Sequence, residues 1–350
     1  MAALGLLLWG SALAGEFRPS LPGYQFRFPQ DHHAHPEFRT EWWYLTGHLK
    51  AAGGERFGYQ LTFFRTALKG AAGAESARQV YFAHFALGEL GRSRFRCFEQ
   101  MSRGGLGVAG AATDTFKVWN GDWLLEGGQG PERLEAVTPE VSLQLALRPL
   151  KPPAVHGQEG VSRKGEGRGH ASHYYSLSRM SAQGTLVVEG RRLEVSGSSW
   201  MDHEFSSDQL GPDQVGWDWF SVQLEDGWDL MLYIMRLKDG SADAASSGTL
   251  INPGGRATHL RIEEFRVEPL GEWPSPRSGA TYPSGWRLTL PGRGLSLVVS
   301  PELKDQELVT RRSRITYWEG ACQVEGSHQG RKVAGQAFVE LTGYAGRLRL

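Results

Sequence analysis

The chain has 350 residues, enough for one large or two ordinary domains, and 40% of them are hydrophobic, enough for a real core. Its 38 basic residues balance its 38 acidic ones, so it lacks the one-sided charge by which proteins hold nucleic acid or an anionic membrane surface. Forty-six glycines and 17 prolines indicate many turns, and 12 tryptophans an aromatic-rich core, a pattern typical of all-β chains.

Met1 to Ala14 reads as an export signal. Leu4 to Leu13 is mostly apolar, and Ala12-Leu13-Ala14 suits cleavage near Ala14, although the positive leading residues are missing. The run is too short to span a bilayer, and no other segment is long and apolar enough. The expected location is secreted or periplasmic. Phe17 to Pro29 is an extended lead-in. Asp31-His32-His33-Ala34-His35-Pro36 gathers three histidines. Clustered loop histidines before a proline are more often solvated or hydrogen-bonded than metal-bound, so no metal and no cofactor are expected.

Thr40 to Lys50 alternates as a strand, with Glu41, Trp43 and Leu45 on one face and Trp42, Tyr44 and Thr46 on the other. Ala51 to Gly54 turns it into a second strand, Arg56 to Thr66. Ala67 to Ala77 is a Gly/Ala loop. Val80 to Leu90 is a third strand with His84 in its middle, read first as a hydrogen-bonded core histidine and second as a ligand contact. Asn120-Gly121 signals a type I′ hairpin. Val141 to Leu147 is a further strand. Val155 to Gly169 is a long polar loop of the kind that forms lids or ligand gates.

A strand from His170 to Met180 carries His173, Tyr174 and Tyr175. Short strands then flank the turn at Glu189-Gly190. Next comes the densest stretch of chemistry, Trp200-Met201-Asp202-His203-Glu204-Phe205, followed by Gly216-Trp217-Asp218-Trp219-Phe220. A carboxyl set among aromatic rings is kept dry, and a dry carboxyl holds its proton to higher pH, the requirement for a general acid. Strand periodicity puts Asp202 and Glu204 on the face of Trp200 and turns His203 away; it puts Asp218 on an apolar face with Phe220, Val222 and Leu224. The alternative is a buried polar network that fixes barrel closure. Short strands continue to Tyr344 without a convincing helical period. Many short strands with Gly and Pro turns argue an all-β sandwich or barrel, and the length favours two barrels in tandem, divided near Gly211. Cys97 and Cys322 are read as free thiols in preference to one bridge.

The series His35-Pro36-Glu37-Phe38-Arg39-Thr40-Glu41-Trp42-Trp43-Tyr44, Tyr59 to Arg65, Ser162-Arg163-Lys164-Gly165, Ala171 to Ser176, Trp200 to Glu204, Gly216 to Phe220, Tyr317-Trp318-Glu319-Gly320 and Val339 to Tyr344 resembles the carotenoid 1,2-hydratase/AttH-like family, its secreted branch above all. The resemblance runs from about Tyr24 to Tyr344. It implies two tandem lipocalin-like antiparallel β-barrels, here 24–210 and 211–350. Named relatives hydrate the terminal double bond of acyclic carotenoids. The export signal points this chain away from carotenoid biosynthesis.

Hydrating an alkene requires protonation to a carbocation and then addition of water. A carboxylic acid of raised pKa supplies the proton, and desolvated aromatic faces stabilise the cation by about 2 kcal/mol each. The candidate catalytic residues are therefore Asp202, Asp218, Glu204 and Glu41. The candidate ligand contacts are Trp200, His203, Trp217, Trp219, Trp43, Tyr44, His84, His173, Tyr174 and Tyr175. The expected ligand is an apolar, isoprenoid- or lipid-like molecule, held in a barrel pocket or between the two domains. A second reading is a lipid carrier partnered with an envelope transport system. A third, a Ser-His-Asp hydrolase, lacks a Gly-x-Ser-x-Gly elbow, since Gly197-Ser198-Ser199-Trp200 does not complete one; Ser199, His203 and Asp218 would have to meet through the fold.

Overall fold

The computed structural model describes residues 17–68, 78–128, 130–208 and 210–348. The expected leader Met1 to Ala14 and most of the Gly/Ala loop after Ala67 lie outside them. The first sheet holds β1 (Thr40–Ala51), β2 (Arg56–Ala67), β3 (Gln79–Glu89), β4 (Arg94–Arg103), β5 (Ala109–Ala111), β6 (Lys117–Asn120), β7 (Trp123–Glu126), β8 (Glu132–Val137), β9 (Val141–Pro149), β10 (Ala154–Val155), β11 (Ser162–Arg163), β12 (Ala171–Val188) and β13 (Arg191–Asp208). Its order is β4-β3-β2-β1-β13-β12-β9-β8-β7-β6-β5, with β10 and β11 also on β12; every pairing is antiparallel, and the sheet curls into a nearly closed barrel.

The second sheet holds β14 (Gln214–Leu224), β15 (Asp229–Leu237), β16 (Ser247–Ile251), β17 (Ala257–Arg261), β18 (Arg266–Pro269), β21 (Trp286–Leu290), β22 (Leu295–Pro301), β23 (Glu307–Val309), β24 (Thr316–His328) and β25 (Arg331–Thr342). The small ribbon of β19 (Glu272–Pro274) and β20 (Thr281–Pro283) stands apart from it. The order β17-β16-β15-β14-β25-β24-β22-β21-β18, with β23 on β24, makes a half-barrel. The architecture is thus all-β and lipocalin-like in both halves. The chain crosses from one sheet to the other between Asp208 and Gln214.

Where short strands were predicted around Glu189-Gly190, the chain forms a single hairpin of two 18-residue strands, β12 and β13. Both turn residues have positive φ, +52° and +73°, as a type I′ turn requires. At Asn120-Gly121 the hairpin exists but its loop is shifted by one residue. Asn120 pairs with Trp123 inside the ladder, its side chain donates to the Tyr81 carbonyl, and Gly121, with φ +57°, takes the first loop position. Cys97 and Cys322 are both free thiols.

β1 and β13 are buried on both faces along the stretch that matters here, which is why they read as near-continuous runs of large side chains. Their inner faces supply Trp43, Leu45 and Met201 to a first core that fills the barrel interior with Leu61, Phe63 and Phe85. The half-barrel buries a second core built on Phe220, Trp286 and Trp318. The two outer faces pack on each other through Tyr44, Tyr174 and Trp200 from the first half and Trp219, Met231 and Tyr233 from the second.

Polar ties fix this docking. Asp229 on β15 accepts from Lys151 Nζ at 2.7 Å, from Arg179 Nη2 at 2.6 Å and from Ser178 Oγ at 2.9 Å, and its side chain is fully buried. Glu99 on β4 accepts from the backbone N–H groups of Arg311, Arg312 and Ser313. Replacing Asp229 by Ala strands two cations at a dry interface, and we expect it to lower the unfolding free energy by roughly 3–5 kcal/mol, measured by urea denaturation.

Candidate functional site

The two outer faces part over a cleft with about 840 Å³ of atom-free space, some of it continuous with solvent. Strand alternation decides what lines it. From β1 come Trp42 and Tyr44, from β2 Thr62 and Phe64, from β3 His84, from β12 Tyr174, and from β13 Asp202 and Glu204. The facing wall supplies Trp217 and Trp219 of β14, Tyr233 and Met235 of β15, Tyr317 of β24, and Glu340 and Thr342 of β25. Most of this wall is apolar, and the acids converge at one end.

Asp202 is the best-held of them. Tyr174 donates to its Oδ2 at 2.5 Å, Trp200 Nε1 donates to Oδ1 at 2.5 Å, and Ser176 also donates to Oδ1. Trp219 Nε1 in turn donates to the Tyr174 hydroxyl at 3.0 Å, tying the acid to the opposite wall. His156 lies 2.6 Å from the Ser176 hydroxyl and 2.7 Å from that of Thr249. Burial raises the Asp202 pKa to about 7; its three hydrogen bonds oppose the shift, and the nearby Glu204 adds to it. Glu340 opens into the cleft from across, its Oε2 accepting from Trp217 Nε1 at 2.7 Å. Burial, opposed by that bond and helped by Asp202 and Glu204, raises Glu340 to about 7 as well.

Lys164 is the cation here. Its Nζ sits 3.1 Å from Glu204 Oε1 and over the rings of Tyr174 and Tyr233, 5.0 Å and 4.0 Å from their centroids. Burial would lower its pKa, but Glu204 and the other acids outweigh that and raise it. Lys164 comes from the long loop predicted as a lid. That loop is pinned to β12 through β10 and β11.

Of the residues singled out from the sequence, Asp202, Glu204, Tyr44, His84, Tyr174, Trp217 and Trp219 line the cleft, and Trp200 backs Asp202. His84 also bridges the halves, with Nδ1 2.9 Å from the Tyr317 hydroxyl and Nε2 3.1 Å from that of Ser313; burial lowers its pKa to about 4.

The others face elsewhere. Asp218 points into the half-barrel, where Arg236 and Tyr344 donate to it. Glu41, Trp43, His173, Tyr175 and His203 lie on the inner side of the first sheet. Ser199 bonds Tyr59 at 2.6 Å, so Ser199, His203 and Asp218 form no triad. Sequence reasoning missed Lys164, Tyr233 and Glu340 as cleft residues. The signal for Glu340 was present: an acid on a strand whose two faces, Phe338/Glu340/Thr342 and Val339/Leu341, are both built to be buried.

The inner residues form a separate network. His35 Nδ1 and His203 Nε2 each lie 2.8 Å from Glu41 Oε1, and these ligand-type atoms fall within 4.8 Å of one another, as a metal site would need. However, Glu41 Oε2 takes the Arg65 guanidinium at 3.0 Å, and the other nitrogen of His35 faces Asp31 at 3.1 Å. Burial alone would lower the His35 pKa; its bonds to Asp31 and Glu41 raise it to about 9. Both nitrogens of His35 face carboxylates and a guanidinium neutralises Glu41, so the group is satisfied as an ion-pair network. It lies buried on the inner side of the first sheet, away from the cleft.

A nearly closed barrel and a half-barrel with an acid-bearing cleft between their outer faces define a two-domain lipocalin-like protein. The AttH-like family model matches residues 19–344, and the chain belongs to that family. An AttH protein of Nitrosomonas europaea is 34% identical, with a TM-score of 0.85 over 94% of this chain and 100% of that one. Kievitone hydratase from Nectria haematococca is 15% identical, with a TM-score of 0.73 over 94% of this chain and 96% of its own. CghA is 12% identical, with a TM-score of 0.56 over 94% and 96%. The last two share the fold. No curated protein sequence matches significantly.

The raised pKa of Asp202 carries a stability signature. An aspartate in the unfolded chain titrates near 3.8 and Asp202 in the folded protein near 7. Between those values the folded state keeps a proton that the unfolded state has released, so stability falls as pH rises through this window and levels off above it. Asp202→Asn removes this contribution. We expect urea denaturation series from pH 4 to 8 to show a less negative slope in Asp202→Asn than in wild type between roughly pH 4 and 7.

Proposed function

We propose that this protein catalyses acid-initiated addition of water to, or isomerisation of, a C=C bond in an apolar, neutral small molecule held in the cleft between its two halves. The observation that carries this reading is Asp202: a carboxyl held near neutral pKa, fixed by three hydrogen bonds, at the edge of a cleft walled by Trp42, Trp217, Trp219 and Phe64. The likeness to kievitone hydratase supports it at the level of fold.

In this mechanism Asp202 gives its proton to one alkene carbon, and the neighbouring carbon becomes cationic. The tryptophan and tyrosine faces stabilise that charge. A water molecule adds its oxygen to the cationic carbon and loses a proton to Glu340, which faces Asp202 across the cleft. In the isomerisation, a carbon-bound proton leaves instead of water arriving. Lys164 stays paired with Glu204 over the Tyr174 and Tyr233 rings, so the cation is stabilised at the tryptophan side of the wall, away from that ammonium. The leader read in Met1 to Ala14 supports a secreted or periplasmic site of action.

The carrier alternative expects a wall without aimed acids, and this wall presents Asp202, Glu204 and Glu340. A fatty-acid carboxylate would meet like charge there. We therefore expect fatty alcohols to bind more tightly than the matching fatty acids at pH 8, measured by calorimetry. For catalysis, alkenes bearing isoprenoid or phenolic groups are incubated with the protein and the products identified by mass spectrometry. Asp202→Asn should lower kcat by roughly 10²–10⁴ while ligand affinity is kept. In wild type kcat should peak near pH 7, falling above it because Asp202 must hold its proton and below it because Glu340 must be free to accept one. Unchanged turnover in Asp202→Asn sinks the assignment.

A further inference from the structure

Behind the cleft, the packed faces of the two halves contain a set of buried polar atoms whose hydrogen-bonding capacity the protein does not fill: the Tyr44 hydroxyl and the Glu319 carboxyl approach only each other, and the rest meet no protein partner of good geometry. On β1 they are the Tyr44 hydroxyl, Thr46 Oγ1 and His48 Nε2. Opposite Thr46 on β2 is Gln60 Oε1, and from β24 of the second half come both carboxyl oxygens of Glu319. All five side chains are nine-tenths or more buried, with exposures of 7%, 1%, 7%, 1% and 1% in that order. Such atoms cost free energy when left dry, and native proteins rarely tolerate several together.

Their arrangement is linear. Alternate residues of a strand stand about 6.6 Å apart, so Tyr44, Thr46 and His48 mark a line of roughly 13 Å across the interface. At one end Tyr44 lines the cleft. Glu319 stands directly opposite the cleft residue Glu340 on the neighbouring strand. At the other end Thr46 and His48 line a second, smaller cavity of about 190 Å³, whose rim carries the half-buried amides of Gln223 and Gln336.

We propose that the interface between the two halves holds a file of bound water, seated on Glu319, Tyr44, Thr46, Gln60 and His48, that joins the floor of the cleft to the small cavity at the far side. Buried water of this kind makes about three hydrogen bonds to polar groups that lack protein partners, and the line supplies them at every step. Burial keeps the Glu319 carboxyl protonated and His48 neutral, with its pKa lowered to about 3, so the file carries no net charge and needs no counter-ion. If the cleft is the hydration site proposed above, this file is the source of the water that adds, since it reaches Tyr44 and Glu340 without crossing the apolar ligand.

Oxygen-17 magnetic relaxation dispersion of the wild-type protein without substrate counts long-lived internal water. We expect the isosteric Thr46→Val/Gln60→Leu variant, folded by near-ultraviolet circular dichroism, to lose at least two such waters. Glu319→Leu should lose water at the cleft end, and Glu319→Gln should keep it. An ordered water line in a high-resolution crystal structure of wild type is the second readout, independent of any variant. A dry line there, or unchanged dispersion in the variants, overturns the file. The supply role is tested on an alkene that wild type hydrates: Thr46→Val/Gln60→Leu should lower hydrated product about tenfold or more while isomerised product persists. Lost waters with undiminished hydration overturn that role. Lost waters in a protein that converts no alkene keep the file and remove the hydratase reading.

Discussion

The structure depends on two central strands, β1 and β13, being dry on both sides. A strand has only two faces. In most barrels one of them meets solvent, and polar residues are placed there at little cost. Here the outer face is pressed against a second sheet, so a polar residue on it must take a partner, shift its pKa or be left with an unfilled polar atom. Asp202, Glu204, Tyr44, Thr46 and His48 all sit on that face. The acid at the cleft is dry because the half-barrel is docked over it. The docking is in turn held by buried charge at Asp229 and by Glu99 of β4, which accepts from the backbone of the loop after β23.

Much of this was legible from periodicity. Trp200, Asp202 and Glu204 do share a face, His203 does turn away, and Asp218 does lie with Phe220 and Val222. What alternation cannot give is which of two buried faces looks onto a ligand. Glu41 and Asp202 are equally buried and equally surrounded by aromatics. One is neutralised by Arg65, 24 residues away along the chain; the other has hydrogen-bond donors but forms no ion pair among the described residues. The difference comes from partners on neighbouring strands, and register is set by the whole sheet. For the same reason Lys164 escaped notice: it is an ordinary residue in its own segment and becomes a cleft residue only when the loop before β12 is set beside β13. Glu340 did stand out as an acid on a strand buried on both faces, but only the pairing of β25 with β14 puts it at the cleft.

Of the two places expected for a ligand, a barrel pocket or the space between the domains, the first barrel offers little room, for a physical reason. Trp43, Phe63, Phe85, Tyr175 and Met201 fill the first barrel, and Trp286 and Trp318 occupy the second half's core. Large aromatic side chains pointing inward use the volume that a lipocalin-type cavity would need. The free volume moves outward, to the seam between sheets, where two curved surfaces cannot match along their full length.

That seam has a consequence for how the protein matures. Neither half contains a complete site: Asp202 and its donors Ser176, Tyr174 and Trp200 belong to the first, Glu340 and Trp219 to the second. The pocket therefore exists only where the two separately cored units are docked. A chain whose second half is truncated or misfolded has a solvated aspartate of ordinary acidity on an open surface. Completion of the cleft and correct assembly are thereby made the same event.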